Sequence, residues 1–266
     1  MDLIEINQKV KAIIRQAGNY IKQERGKVKA HHITDKSLNN LVSYVDKTAE
    51  LLLVKNLKEI LPQAGFLTEE KTVAQDDKPL RWIIDPLDGT TNFLFGLPIY
   101  SVSIALTQDE EILIGAIFIP ELDELFSATK NGGAFLNDRP IKVSRTQTID
   151  TSLAATGFPY FKFEYMDFYM SLLEKYIRST RGVRRLGSAA VDLAYVACGR
   201  FDFYFEMELN PWDIAAGLLI VAEAGGQTSN FDGTGSAFSG KEILASNKTL
   251  HHLLLEKPTK KRIQAK

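Results

Sequence analysis

The stretch RWIIDPLDGTTNF, residues 81 to 93, constrains this chain more than any other. Trp82, Ile83 and Ile84 form the continuous apolar run expected of a strand entering a buried sheet. That run ends in Asp85 and Asp88, with Gly89, Thr90 and Thr91 directly behind. Burying either carboxylate alone would cost several kcal/mol in lost hydration, so the pair needs cations or water. The two aspartates straddle Leu87, so both side chains and the Leu87 carbonyl can face one site as the strand turns. Hard oxygen donors with no His or Cys beside them suit Mg2+ or Mn2+ rather than zinc. If a helical turn starts at Gly89, its free N–H groups and dipole offer a seat for phosphate. The plainer reading is a turn, with Asp88 as an Asx turn or helix cap.

Three further segments carry carboxylates in suggestive places. FLTEEK sets Glu69 and Glu70 after an apolar strand candidate, Gly65–Leu67, although a surface loop would explain it. NLVSYVDKTAE puts Asp46 at the start of a helix, where capping alone accounts for it. NPWDIAAG puts Asp213 in the first turn of an apolar helix, where the macrodipole favours an anion. Each has an ordinary explanation; their joint occurrence with DPLDGTTNF does not.

The remaining chain supplies a frame for these segments. With 266 residues and 45% hydrophobic content it can bury a large core. Lys and Arg total 32 against 33 Asp and Glu, which gives no electrostatic reason to expect nucleic acid or an anionic membrane. The tail EKPTKKRIQAK reads as a solvated basic terminus. One cysteine, Cys198, excludes an internal disulfide and fits a reducing compartment; its apolar neighbours read as a packed thiol. Neither a signal sequence nor a bilayer-spanning run is visible, so the expected location is the cytoplasm. Leu3, Ile6, Val10, Ile13, Ile14, Ala17 and Ile21 follow helical spacing, with an end near Gly26. A second helix is expected from about Tyr44 to Ile60. YSVSIALT and ILIGAIFIP read as a hairpin, and ELFSAT and GAFLN as further strands across the turn KNGG.

Beyond TSLAATGFPY the pattern becomes α/β. A helix is expected near residues 164 to 178, another around Ala189–Ala197, and a strand at FDFYFEM. PWDIAAGLLIVAEAGG has Pro at the start of a helix and Gly past its end. EILASN is a short strand before a last helix. A soft boundary near residue 150 gives an N-terminal α+β half, 1–150, and a C-terminal α/β half, 151–266. His31, His32, His251 and His252 lie outside the motifs and are expected to be exposed.

The segments WIIDPLDGTTNF, WDIAAGLLIVAEAGG, Glu69-Glu70, NLVSYVD, RRLGSAAVDLAYVACGRFDFYFE and NDRPIKVS occur together and in one order. In this the chain resembles the inositol monophosphatase family, magnesium-dependent and lithium-inhibited phosphatases, over roughly residues 5 to 250. The TTNF, TGFPY and RRLGSAA segments are more similar to the inositol monophosphatase branch than to the bisphosphate nucleotidases.

The resemblance implies an α/β fold, a layered αβαβα sandwich of the inositol monophosphatase and fructose-1,6-bisphosphatase type, usually a homodimer. It implies that Glu69, Asp85 and the Leu87 carbonyl hold a first Mg2+, and Asp85, Asp88 and Asp213 a second. Glu69, with water, would hold a weaker third. Thr90 and Asp46 would orient the nucleophilic water, making Asp46, Glu69 and Thr90 the catalytic set. Gly89 and Thr90 N–H groups would hold phosphate. Asp88, Ala189 through its backbone, Glu206 and Asp213 would contact substrate hydroxyls, with Lys36 a basic group near the metals. The implied reaction is in-line attack by a metal-activated water, with no phosphoenzyme.

Departures from the family pattern are Thr68 in place of a common glycine, Asn40 and Ser43 ahead of Asp46, and Asn210-Pro211 ahead of Trp212-Asp213. The last leaves substrate identity open: myo-inositol monophosphate is favoured, beside fructose 1,6-bisphosphate, NADP(H), histidinol phosphate or a nucleotide. From another class, a non-catalytic metal-dependent binding or regulatory protein stays in view.

Overall fold

The computed structural model describes residues 1–29, 34–37, 40–158, 165–235, 238 and 241–255. The N-terminal helix α1 (Leu3–Glu24) starts at Asp2, whose carboxylate accepts from the Ile4 and Glu5 N–H groups. Its inward stripe, Ile6, Val10, Ile14, Ala17 and Ile21, is buried, as the spacing of these residues requires. A small antiparallel pair, β1 (Thr34–Ser37) and β2 (Asn40–Val42), precedes α2 (Tyr44–Ile60). Both long helices agree with the bounds read from sequence to within two residues.

A seven-stranded sheet follows: β3 (Gly65–Thr68), β4 (Leu80–Asp88), β5 (Ser101–Gln108), β6 (Glu111–Ile119), β7 (Glu124–Thr129), β8 (Gly133–Leu136) and β9 (Arg139–Pro140). Spatial order equals chain order; β3 and β4 are parallel and every other pairing is antiparallel. A five-residue helix, α3 (Thr90–Leu94), interrupts the path from β4 to β5.

The rest of the chain builds a second sheet from β10 (Leu153–Thr156), β11 (Gly182–Arg184), β12 (Phe203–Met207), β13 (Gly226–Ser229) and β14 (Glu242–Asn247). Its order is β11-β10-β12-β14-β13, with the first three parallel and the last two running antiparallel to their neighbours. Between these strands lie α4 (Met166–Ser179), α5 (Ala189–Ala197) and α6 (Pro211–Glu223), and α7 (Lys248–Leu254) follows β14. Sequence patterning had no signal for β10, β11 and β13. They are short and two of them carry polar or glycine positions, so no alternation develops over them.

The period-two alternation of the strands assigns the layers. In β4, Trp82 and Ile84 face α1 and α2 while Ile83 faces the opposite core; in β6, Ile114, Ala116 and Phe118 face one way and Ile117 and Ile119 the other. The small-residue helices α5 and α6 fill the space between the two sheets. Phe203, Phe205 and Met207 of β12 point outward to a third core beneath α4 and α7, where Tyr176 packs edge-on against Phe203 with ring centroids 4.9 Å apart. The result is αβαβα. Packing α6 on the sheet depends on Gly115, since a Cβ there would stand 2.7 Å from the Ala216 carbonyl oxygen.

One expectation about histidine is overturned. His251 is fully buried on the inner side of α7, flanked by buried Leu250 and Leu254. Its Nε2 lies 2.8 Å from Ser229 Oγ and its Nδ1 3.0 Å from Ser246 Oγ, so the neutral ring is satisfied on both sides. His252 is exposed, and His31 and His32 lie outside the described residues, as does the basic tail from 256 onward. Cys198 is half-buried beside Tyr195, and burial pushes its thiol pKa up. Among the described residues no helix is long and apolar enough to cross a membrane.

Burial, with the neighbouring His252 charge, pulls the His251 pKa down from 6.5 to about 4. The folded state therefore prefers the neutral ring, and this contribution is present above pH 6.5 and lost as pH falls toward 4. The linked loss is about 3 kcal/mol. Urea unfolding between pH 7 and 4.5 should show a steeper fall for the native chain than for His251→Gln; equal slopes would refute it.

Candidate active site

The geometry at the end of β4 follows from one irregularity. Asp85 pairs with Ser103 and Asp88 with Ser101, so three steps on β4 match two on β5. The extra residue is a bulge at Pro86-Leu87. In a regular strand residues three apart point to opposite faces; the bulge returns Asp85 and Asp88 to the same one. That face meets α5 and α6, since Ser101 Oγ lies 3.3 Å from Ser188 Oγ and Ser103 Oγ donates to the Trp212 carbonyl.

Local hydrogen bonds then fix each group. Asp85 Oδ1 accepts the Leu87 N–H at 2.9 Å, and the Leu87 carbonyl lies 2.9 Å from Thr90 Oγ1. Gly89, in the left-handed region at φ +94°, turns the chain from β4 into α3. Thr90 Oγ1 also stands 3.0 Å from Asp46 Oδ1. A hydroxyl has one proton, so Thr90 donates to Asp46 or to Leu87, not to both at once. Asp46 itself closes a capping box with Ser43 at the start of α2. Asp213 does the same for Asn210 at the start of α6. Both aspartates thus cap a helix start, and Asp213 also lines the cavity while Asp46 reaches it through Thr90.

Asp88 reaches across to α5. Its Oδ2 accepts from Ser188 Oγ at 2.6 Å and from the Ala190 N–H at 2.8 Å, at the positive end of the helix. Glu69 follows β3 and donates its backbone N–H to the Ile84 carbonyl. On the opposite wall Tyr204 donates to the Glu206 carboxylate, which packs directly over Gly157. Glu69, Asp85, Leu87, Asp88, Gly89, Thr90, Ala189, Glu206 and Asp213 all line one cavity of about 170 Å³. Asp46 sits behind that wall and reaches it through Thr90. The Lys36 side chain lies outside the described residues.

Sequence reading passed over several lining residues: Gly157, Phe158, Arg185, Ser188 and Asp192. Asp192 had a signal, being the one carboxylate in the apolar helix run AAVDLAYVA. Ser188 and Gly157 lie in RRLGSAA and TGFPY, segments of the family resemblance, but nothing in them pointed to a cavity, because their place depends on how α5 and β10 dock.

The electrostatics are those of anions forced together. Burial, then Glu69, Asp88 and Asp213, hold the Asp85 carboxyl well above the usual range. Burial, then Asp88 and Glu69, do the same to Asp213. Asp88 rises only to about 6, because the Ser188 hydroxyl and Ala190 N–H oppose its burial. Glu206 is pushed up to about 7 by burial, despite its tyrosine donor. Among the described residues no three His, Cys, Asp or Glu side chains stand close enough to form a ready-made coordination sphere. The carboxylates share the cavity without closing round one point. Their chemistry nonetheless fits hard dications: every donor is oxygen, and added positive charge would relieve the repulsion that raises all three aspartates.

The chain thus combines a layered α/β architecture with a carboxylate-lined cavity at a strand-to-helix turn. The family model of the inositol monophosphatase family matches residues 2–262, and this chain belongs to that family. It is 40% identical over 263 residues to an inositol-1-monophosphatase of Mesorhizobium japonicum, covering 98% of each chain. It is also 40% identical over 234 residues to the Nus factor SuhB of Escherichia coli K12, covering 88% of each. The crystal structure of extragenic suppressor protein suhB from Bartonella henselae superposes with a TM-score of 0.89 at 38% identity, over 95% of this chain and 98% of that one. Family membership supports phosphatase chemistry, in a family that is generally metal-dependent.

A Cβ at residue 157 would collide with the Glu206 carboxylate. Gly157→Ala should therefore displace the Glu206 carboxylate while lowering stability by no more than about 1 kcal/mol, since the far end of a side chain gives way more easily than packed core. Urea unfolding and a crystal structure of the variant would check both.

Proposed function

We propose that the chain is a Mg2+-dependent phosphomonoesterase of small alcohol phosphates, with myo-inositol monophosphate the favoured substrate and Mn2+ a substitute ion. The observation that carries this reading is the placement of Glu69, Asp85, Asp88 and Asp213 in one cavity beside the Gly89–Thr90 turn. Glu69, Asp85 and the Leu87 carbonyl would hold one ion, and Asp85, Asp88 and Asp213 another, with a third weakly held at Glu69. When bound, these ions supply Lewis acidity to the phosphoryl oxygens and acidify water.

The chain's own groups do the rest. Thr90, when its hydroxyl donates to Asp46, orients a water for in-line attack and passes that water's proton on to Asp46. Backbone N–H groups of Gly89 and Thr90 hold the phosphate. Glu206, with Asp88, Asp213 and the Ala189 backbone, meets the hydroxyls of the alcohol. A polyol suits that polar wall, which is the ground for favouring inositol monophosphate, with the fructose, NADP(H), histidinol and nucleotide esters as the alternatives. Asp192 and Arg185 on the same wall add to its polarity. A homodimer in the cytoplasm, lithium inhibition and a division near residue 150 complete the proposal.

A second reading, a binding or regulatory role without turnover, draws its support from the Nus factor name carried by the Escherichia coli relative.

Phosphate release from a panel of sugar, polyol, nucleotide and amino-alcohol phosphates, with and without Mg2+, separates the two. Turnover should require Mg2+ and be fastest on inositol monophosphate; no turnover on any ester would leave the binding role. Asp88→Asn should lower kcat by about 10²-fold or more while the unfolding midpoint stays close to that of the native chain, because charge-stabilising groups at reacting centres carry that much. Near-native kcat would remove Asp88 from the mechanism.

A further inference from the structure

Glu50 lies one helical turn beyond Asp46 on α2 and is completely buried. Its two oxygens are met by donors from a single loop, residues 68 to 72. Oε1 accepts the Thr68 hydroxyl at 2.9 Å, the Thr72 N–H at 2.7 Å and the Thr72 hydroxyl at 2.7 Å. Oε2 accepts the Glu70 N–H at 2.8 Å. These donors bracket Glu69 on both sides, while the Glu69 N–H itself is tied to the Ile84 carbonyl of β4. Gln75 braces the same segment by accepting the Thr68 N–H at 2.7 Å and donating to the Thr68 hydroxyl at 3.1 Å.

Residues four apart on a helix share a face. Asp46 uses its place on α2 to hold Thr90, and Glu50 uses the next turn to hold the Glu69 loop. We infer that Glu50 is a positioning residue: α2 is a common ruler that sets Glu69 against the Thr90–Asp46 pair, and Glu50 is the end of the ruler that grips the acidic loop. Thr68 gains a purpose here, since a glycine at that place offers no hydroxyl to Glu50. The inference rests on the proposed metal site in assigning Glu69 its role.

The geometry makes a specific demand on chemistry. All four hydrogen bonds from the loop are donated to Glu50, so the side chain must accept at both oxygens. Glu50→Gln keeps the shape but turns one oxygen into an N–H2 group, which faces donors with a donor and releases one side of the loop.

Mn2+ binding, followed by electron paramagnetic resonance on the whole chain, tests this independently of any substrate. Glu50→Gln should weaken Mn2+ binding by about tenfold, the lower end of what groups supporting a ligand carry. In Mg2+ titrations of activity, half-activation should move to higher Mg2+ while KM for the ester changes little. Thr72→Val removes one hydroxyl donor and should show the same signature more weakly, which serves if Glu50→Gln unfolds. As a control, Asp202→Asn alters a buried carboxylate that accepts the Leu153 N–H away from the cavity, and should leave Mn2+ affinity unchanged. Native Mn2+ affinity in both Glu50→Gln and Thr72→Val overturns the inference even if the native chain is a phosphatase. Weakened Mn2+ binding in a chain that hydrolyses no ester upholds it and removes the phosphatase reading. A native chain that takes up no Mn2+ overturns both.

Discussion

Two carboxylates three residues apart can meet on one face of a sheet only if the strand between them breaks its own alternation. The bulge at Pro86-Leu87 is that break, and the rest of the cavity is arranged around it. It aims Asp85 and Asp88 at the layer of α5 and α6, turns the Leu87 carbonyl toward Thr90, and delivers the chain to the left-handed Gly89. A regular strand here would send one aspartate into the apolar core beneath α1 and α2, where nothing hydrates or pairs it.

Around that break, helix starts do the positioning. α2 presents Asp46, α5 presents Ser188 and the Ala190 N–H, and α6 presents Asp213. A helix N-terminus has unmet N–H groups and a positive field, so it tolerates a buried anion better than any other backbone arrangement. Asp88 shows how much that matters. Its burial is opposed by the Ser188 hydroxyl and the Ala190 N–H, and its pKa rises to about 6, whereas for the more deeply buried Asp85 burial and every nearby carboxylate push upward together. The cavity is thus a graded field of carboxylates, from the well-supported Asp88 to the frustrated Asp85. Such a field attracts hard cations and, through them, phosphate.

Much of this was legible in the chain. DPLDGTTNF announced a strand running into an anionic turn; Asp46 caps its helix as read, and Asp213, placed in the first turn on macrodipole grounds, closes a capping box there as well. Residue spacing alone pointed to no second role for either cap; only the family resemblance did. Thr90 and Asp46 are 44 positions apart, and Asp88 and Ser188 100 apart. Glu50 was invisible for the same reason, since a glutamate in a helix reads as solvated until its partners are known. His251 was misjudged because two serines from β13 and β14 satisfy it, and neither is near it in pattern.

The sequence by itself determined the layers, since helical and strand periodicities state which side of each element must leave water. It also determined the family, because several acidic segments in one order are too specific to arise from folding needs alone. Tertiary structure decided which polar groups meet: the approach of Thr90 to Asp46, the grip of Glu50 on its loop and the seat of His251. Burial of apolar surface is nearly indifferent to partner identity and can be read locally. A buried charge or imidazole is tolerated only where particular donors and acceptors arrive from elsewhere, and only the folded chain brings them there.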